Sequence, residues 1–531
     1  MTSHWHRQLG RLSAAEPALL KGIGRGIEKE SLRIDSDGTL ARTPHPAALG
    51  SALTHSSITT DYSEALLEFI TPVFSSIEGC LGALEDIHGF VYRHLHGERL
   101  WSASMPCIVG GDAGIPVARY GNSHVGRMKT IYRYGLGHRY GRMMQAIAGI
   151  HYNFSMPERY WPLAQQADGD RGALQDYITT RYLGLIRNFR RWSWLLIYLF
   201  GASPAVCASF MRGRGKHHLH ALDNSGHTLH LPHATALRMG DLGYSSRAQA
   251  SLRICYNSLA NYLSTLVDAI FTAHAPYAEF RGQREGEYRQ LNDRLLQIEN
   301  EFYSSIRPKR PARRGETALT ALHERGIEYV EIRCIDVSPF HPLGISAQQI
   351  RFMDAFLVHC LSAASAQCDE AEQDRVTANM RAVVNEGRRP GLRLQDFGAQ
   401  RELGEWAQAL LDDIQASAAL LDAAHQHGEY SAAVATERAK VRGEQELPSA
   451  RLLREVRERG GSYCRLALDY SHRWAEHFTA LELTEDAARR LGEESRASLR
   501  RQAALERGEA TSFEAYLEAY YAQYDALRTS D

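Results

Sequence analysis

The 531-residue sequence predicts an α+β fold with a mainly antiparallel sheet surrounded by helices. Three observations carry that expectation. Runs with strand periodicity occur at 25–34, 65–70, 149–155 and 326–336. Segments of helical pattern separate them without a regular βαβ rhythm, which disfavours a doubly wound sheet. Beyond about residue 345 the chain reads as mostly helical, and 400–531 is rich in Ala, Leu, Glu and Arg.

Residues 1–21 read as an opening helix followed by a loop. Strand-like runs and helices alternate from 22 to about 160. In Gly149-Ile150-His151-Tyr152-Asn153-Phe154-Ser155, Ile150, Tyr152 and Phe154 face one way, and His151, Asn153 and Ser155 the other. Residues 172–203 read as one long helix ending at Gly201, with Pro204 just beyond. Residues 212–233 read as a Gly- and His-rich loop, and 246–280 as helical. The periodicity of 326–336 places Tyr329, Glu331, Arg333, Ile335 and Val337 on one face.

Hydrophobic residues make up 44% and charged residues 23%, as expected of a globular protein with a sizeable core. The net charge of −1 supplies no global field for nucleic acid or an anionic membrane. The eight cysteines are scattered, with no CxxC pair and no compact disulfide framework. The first residues lack the apolar stretch of a signal peptide. The most apolar run, Trp192–Phe200, is too short to span a bilayer. These features predict a reduced, cytoplasmic protein with no nucleic-acid or membrane partner.

The most informative segment is Arg25-Gly26-Ile27-Glu28-Lys29-Glu30-Ser31-Leu32-Arg33-Ile34. On a strand, Glu28, Glu30, Leu32 and Ile34 share a face that is apolar at one end and doubly acidic at the other. Two carboxylates entering a core repel each other and lose hydration. A hard cation bound by oxygen atoms removes both difficulties; solvated glutamates at an exposed strand end are the alternative. Acids recur where other strand patterns call for apolar residues: Glu64 and Glu68, with Asp61 upstream, and Glu331 with Arg333. Taken with His151, this oxygen-dominated set suits Mg²⁺ or Mn²⁺. Several cations together suit a triphosphate undergoing phosphoryl transfer. Arg127 and Lys129, and Arg307 and Lys309 with Arg310, are basic pairs able to hold phosphates, or simply solvated basic loops.

Other signals fail. Gly22-Ile23-Gly24-Arg25-Gly26 imitates a dinucleotide loop, but its third glycine is misplaced and the run precedes a strand. Gly213-Arg214-Gly215-Lys216 lacks the flanking residues of a P-loop. His217, His218, His220, His227, His230 and His233 are too irregularly spaced to predict a metal site.

The motifs Lys29-Glu30-Ser31-Leu32-Arg33, Thr60-Asp61-Tyr62-Ser63-Glu64-Ala65-Leu66-Leu67-Glu68, Gly149-Ile150-His151-Tyr152-Asn153-Phe154, Gln297-Ile298-Glu299-Asn300-Glu301, Ile306-Arg307-Pro308-Lys309-Arg310 and Tyr329-Val330-Glu331-Ile332-Arg333 occur in order over about residues 16–400. Together they resemble the proteobacterial type of glutamate–cysteine ligase. The resemblance implies a glutamine-synthetase-like catalytic fold with a curved, mainly antiparallel sheet over 1–400, and a mainly helical C-terminal region, 401–531, packed on it. It implies a reaction of ATP, L-glutamate and L-cysteine through γ-glutamyl phosphate, giving γ-glutamylcysteine, ADP and phosphate. A related ligase using another amine, or a catalytically silent nucleotide-binding regulator on the same fold, are the alternatives.

Carried onto this chain, the metal ligands are Glu28, Glu30, Asp61, Glu68, His151 and Glu331, for Mg²⁺ or Mn²⁺ with ATP as co-substrate. Arg333 acts with Glu331 at the transferring phosphoryl group. Arg238 holds the glutamate α-carboxylate. Tyr62, Tyr132, Leu136, Tyr244 and Tyr303 line the cysteine side, with Gln145 beside them. Tyr62 stands where a phenylalanine is expected and Tyr134 where an acid is. The resemblance further implies a monomer subject to feedback inhibition by glutathione.

Overall fold

The computed structural model describes residues 4–106, 108–212, 217–223, 225–243, 248–249, 252–284 and 287–528. In chain order the strands are β1 (Gly24–Ile34), β2 (Ile58–Thr60), β3 (Leu66–Ile70), β4 (Arg99–Leu100), β5 (Gly149–Ser155), β6 (Ala205–Cys207), β7 (His220–Ala221), β8 (Thr228–His230), β9 (Gln283–Arg284), β10 (Glu287–Tyr288), β11 (Ile306–Lys309), β12 (Tyr329–Asp336), β13 (Arg393–Asp396) and β14 (Ala399–Glu402). The main sheet is open and antiparallel, in the order β11-β12-β5-β1-β3-β2, with β4 pairing the end of β1. The α+β expectation with a mainly antiparallel sheet therefore holds.

Register assigns every side chain to a face. Glu28 is opposite His151 and Ile70, Glu30 opposite Glu68, and Glu331 opposite Asn153 and Arg307. These residues share one face. The other face carries Ile150, Tyr152, Phe154, Val330, Ile332, Leu67 and Phe69, all fully buried. It packs on the helices Ile77–Tyr92 and Ala347–Ser362, with Leu403–His425 behind.

Two polar clusters lie within that apolar layer. Arg25 Nε donates to Asp354 Oδ2 (2.7 Å), and Tyr152 Oη donates to Asp354 Oδ1 (2.6 Å). The Arg25 guanidinium also reaches the carbonyls of Ile23 and Ser75 and the Tyr430 hydroxyl. The network ties β1 and β5 to two helices. Nearer the sheet centre, Lys29 Nζ lies 2.8 Å from His88 Nε2, whose Nδ1 lies 2.7 Å from the Leu84 carbonyl. Burial without a carboxylate partner pushes the Lys29 ammonium down to about 7.

The structure corrects several expectations. The long helix over 172–203 is two helices, Leu174–Trp192 and Trp194–Phe200, broken at Ser193. The Ser193 hydroxyl donates back to the Arg190 carbonyl, a competing bond that bends helices. The 212–233 loop contains β7 and β8, which form a small sheet with β6; Thr228 and His230 of β8 are buried, as are Ala205 and Val206 of β6. Residues 213–216 lie outside the described part. Among the described residues the histidines of this region form no group of three metal-ligating side chains. Among the described residues of 246–280, an α-helix runs from Leu259 to Phe271, followed by a short 3₁₀ helix at Ala275–Phe280. Ser258 caps the α-helix through a bond from Asn261 N, and Asn257 exchanges hydrogen bonds with the Cys368 backbone, holding the preceding segment out of the helix.

On β12 a bulge after Ile332 brings Ile335 opposite Ile150. Ile335 consequently joins Val330 and Ile332 on the apolar face, while Glu331 stays on the acidic one. The hairpin β13–β14 turns at Phe397 (φ 42°) and Gly398 (φ 92°), the left-handed pair of a tight two-residue turn. Glu64 precedes β3 and does not share the face of Glu68. Its carboxylate accepts from the backbone N–H groups of His45 and Arg119 (2.6 Å each), a structural duty.

Residues 403–528 are almost wholly helical. They dock on the sheet portion through bonds such as Tyr463 Oη to the Met105 carbonyl (3.0 Å) and Ser51 N to Ser498 Oγ (2.9 Å). Among the described residues, no helix is long and apolar enough to cross a membrane.

Candidate active site

The acidic face of the sheet floors a cavity of about 250 Å³. β1 supplies Glu28 and Glu30, β3 supplies Glu68, β5 supplies His151, and β12 supplies Glu331 and Arg333. Asp61 enters from the turn after β2. All seven line the cavity, with Arg307 and Lys309 from β11 at one edge. The opposite wall is Tyr62, Tyr132, Leu136, Gln145 and Tyr303.

His151 is the hub. Its Nδ1 lies 3.1 Å from Glu28 Oε2 and 3.9 Å from Glu331 Oε1, and its Nε2 lies 3.7 Å from Glu30 Oε1. Two trios, Glu28–His151–Glu331 and Glu30–Glu68–His151, each place a ligand atom from every member within 4.8 Å of the others. His151 Nε2 is buried with no hydrogen-bond partner. An orphaned imidazole nitrogen among carboxylates fits a cation-binding site, and the oxygen-rich donor set suits Mg²⁺ or Mn²⁺.

Electrostatics divides the carboxylates. Burial and the nearby Glu331 push Glu28 up, but the hydrogen bond and charge of His151 and the charge of Lys309 outweigh them, leaving it below the usual range. Burial likewise opposes ionisation of Glu331. Lys309 Nζ at 3.1 Å, Arg333 Nη1 at 3.1 Å and His151 hold it well below. On the other side burial raises Glu30, and Asp61 adds to the effect. Burial and the charges of Glu28, Asp61 and Glu30 raise Glu68 well above its usual value. Without cations, one half of the cluster is satisfied and the other is repelled.

A stability prediction follows from that asymmetry. Glu68 is charged at a cost in the metal-free fold, because its folded pKa is raised. Its stability contribution is full below the unfolded value and is lost as pH rises through the folded one. Glu68→Gln should therefore raise the neutral-pH stability of the metal-free protein by about 1–3 kcal/mol while lowering activity. Thermal melts with and without Mg²⁺ check this; a lower metal-free Tm for the variant would refute the repulsion.

Other predicted residues are placed as follows. Arg238 is buried; its Nη2 donates to the Arg333 carbonyl (3.0 Å) and it packs against Gly149, just below Glu30. Gln145 Nε2 donates to Tyr303 Oη (2.8 Å). The Tyr62 hydroxyl is buried against Gly137 without a hydrogen-bond partner. Tyr244 lies outside the described residues. The structure does not bring Arg127 to the cavity: its guanidinium stacks 4.2 Å from the Phe513 ring centroid. Lys129 stands 5.3 Å from the Tyr120 ring centroid, within electrostatic reach of Glu68 but outside the cavity wall.

The candidate set omits several residues. Asn153 Nδ2 donates to Glu28 Oε1 (2.9 Å); its strand alternation with His151 is the signal for it. Arg133, Met144, Ile147, Asn300 and Glu301 also line the cavity. Arg133 follows Tyr132 in the helix His124–Tyr140, and Asn300 and Glu301 belong to the motif at 297–301, whereas nothing local marks Met144 or Ile147.

Comparison with known proteins agrees with the geometry. The family model for glutamate-cysteine ligase matches residues 9–383. The glutamate–cysteine ligase of Azotobacter vinelandii is 52% identical, over 98% of this chain and 99% of its own length. That of Alcanivorax borkumensis is 50% identical, over 96% and 98%. The 2.0 Å crystal structure of glutamate–cysteine ligase from Francisella tularensis in complex with AMP superposes with a TM-score of 0.89 at 35% identity, covering 95% of this chain and 99% of that one. On these grounds the chain belongs to the glutamate–cysteine ligase family.

Proposed function

We propose that this protein joins the γ-carboxylate of L-glutamate to the amine of L-cysteine at the expense of ATP, the first step of glutathione biosynthesis. The observation that carries the reading is the acidic face of β1, β3, β5 and β12, bordered by the cations Arg307, Lys309 and Arg333, in a chain of this family. Divalent Mg²⁺ or Mn²⁺ held by Glu28, Glu30, Asp61, Glu68, His151 and Glu331 would neutralise the triphosphate. Lys309, Arg307 and Arg333 extend positive charge along the same edge, where phosphate oxygens would lie. Arg333, fixed by Glu331, meets the charge developing on the transferring phosphoryl group. Arg238 would hold the α-carboxylate of glutamate, so that its γ-carboxylate reaches the phosphorus. No protein nucleophile is needed, because the substrate carboxylate attacks and ADP leaves. The amine then displaces phosphate from γ-glutamyl phosphate. The wall of Tyr62, Tyr132, Leu136 and Tyr303 excludes water and fits a small, weakly polar amine. Residues 1–400 would form the catalytic portion and 401–531 a helical region on it, in a cytoplasmic monomer subject to glutathione feedback.

Oxygen transfer tests the reading. With labelled γ-carboxylate oxygen, label should appear in inorganic phosphate. Label appearing in released AMP instead would point to an acyl adenylate and overturn acyl-phosphate chemistry. Among amines, cysteine should be best and 2-aminobutyrate slower, since a pocket distinguishes close analogues by only about 1–3 kcal/mol. Ammonia surpassing cysteine in kcat/KM would assign a different acceptor.

A further inference from the structure

The segment Gln297-Ile298-Glu299-Asn300-Glu301 stands out in the sequence, yet the chemistry above leaves most of it without a task. Its long polar side chains are buried: Gln297 is 0%, Glu301 2% and Glu299 8% exposed. Burial of carboxylates is costly unless their oxygens are bonded within the protein. Here they are. Glu301 Oε1 accepts from Arg139 Nη1 and Tyr140 Oη (2.8 Å each), and Oε2 from the Gln297 backbone N–H (2.6 Å). Gln297 Nε2 donates to the Tyr132 carbonyl (3.2 Å), and its Oε1 accepts from Leu291 N (2.9 Å). Gln249 closes the knot, donating to the Glu301 carbonyl (2.8 Å) and accepting from Tyr303 N (3.0 Å).

The outer side of this knot is the last helix of the chain, Phe513–Arg528. Tyr521 Oη donates to the Gln297 carbonyl (2.9 Å) and accepts from Asn292 Nδ2 (2.7 Å). Tyr524 Oη donates to Glu299 Oε2. The helix carrying Tyr132 comes so close that Gly135 leaves no room for a Cβ beside the Gln297 amide. The bonds thus grip Tyr132 and Tyr303, two walls of the acceptor side, from a helix that lies beyond the 9–383 family match. Toward the phosphate side the link is Arg307 Nη2 to the Asn300 carbonyl (2.9 Å) and the Phe302 carbonyl (2.5 Å), which side-chain changes at 297 and 521 leave in place.

We propose that Gln297 and Tyr521 are positioning residues of the amine-acceptor pocket, so that the C-terminal helix sets how tightly the small amine is held. The proposal rests on the ligase reading above. Its test is steady-state kinetics of full-length Tyr521→Phe and Gln297→Ala. Tyr521→Phe, which loses the hydrogen bond to the buried Gln297 carbonyl and the one from Asn292 Nδ2, should raise KM for cysteine about fivefold. Gln297→Ala should raise it about twentyfold, because it leaves the Leu291 N–H without its partner and removes the tie to the Tyr132 carbonyl. In both, kcat and the KM values for ATP and glutamate should stay within about twofold, and the preference for cysteine over 2-aminobutyrate should fall. Kinetic constants that are all unchanged, or that all shift together with a loss in Tm, overturn the proposal. Should Gln297→Ala fail to accumulate folded, Tyr521→Phe decides alone, since it removes a single oxygen atom. Wild-type protein that turns over another amine instead of cysteine would refute the ligase reading and not this one; the same comparison is then made with that amine.

Discussion

Glu331→Ala is expected to lower kcat by about a thousandfold, about 4 kcal/mol of lost transition-state stabilisation, in a protein that still folds. Glu331 is 1% exposed and sits between Lys309, Arg333 and His151. Its removal would take one oxygen donor from the proposed cation site. It would also take away the carboxylate that holds the Arg333 guanidinium at 3.1 Å. The backbone pairing of β12 with β5 and β11 does not involve the side chain, so the sheet should survive. Phosphate release at rising Mg²⁺, with a thermal melt as control, measures both effects. Near-normal turnover at saturating Mg²⁺ would remove Glu331 from the catalytic centre. Glu28→Ala should behave similarly.

The largest stability effect is expected at Asp354, on the far face of the sheet. Asp354→Ala leaves the fully buried Arg25 guanidinium without its counter-charge and the Tyr152 hydroxyl without its acceptor. Breaking a buried pair by deleting one partner costs about 3–5 kcal/mol. Denaturant titration of both proteins reads the loss. A change under about 1 kcal/mol would mean that the carbonyls of Ile23 and Ser75 suffice to hold Arg25.

The strand-borne part of the site is legible because burial of acids is conspicuous. Glu28, Glu30, Glu68, His151 and Glu331 occupy alternating positions where a sheet face would otherwise be apolar, and period-2 counting places them together. The counting fails where the backbone departs from regularity without a Gly or Pro to announce it. The bulge after Ile332 reverses Ile335. Arg127 illustrates a second failure. It belongs to the helix His124–Tyr140, where residues two apart project from nearly opposite sides. Arg127 and Lys129 could not both have faced one phosphate. The acceptor wall was legible only by resemblance: Glu301 and Arg139 are 162 positions apart, and no local pattern announces a pair that meets only after folding.

The order of charges on β1 also constrains how the sheet can be assembled. Glu28 and Glu30 point to the cavity, and Lys29 points back to His88. A slip of β1 by one residue against β3 or β5 would exchange the two faces. Both carboxylates would then enter the layer of Tyr152, Phe69 and Ile150, and Lys29 would take their place in the cavity. Each of the two misplaced carboxylates would be desolvated without a partner. Neighbouring β-branched and aromatic residues tolerate a shifted pairing far better than these two do. The tripeptide at the heart of the site therefore also proofreads strand registration during folding, before any substrate or cation is bound.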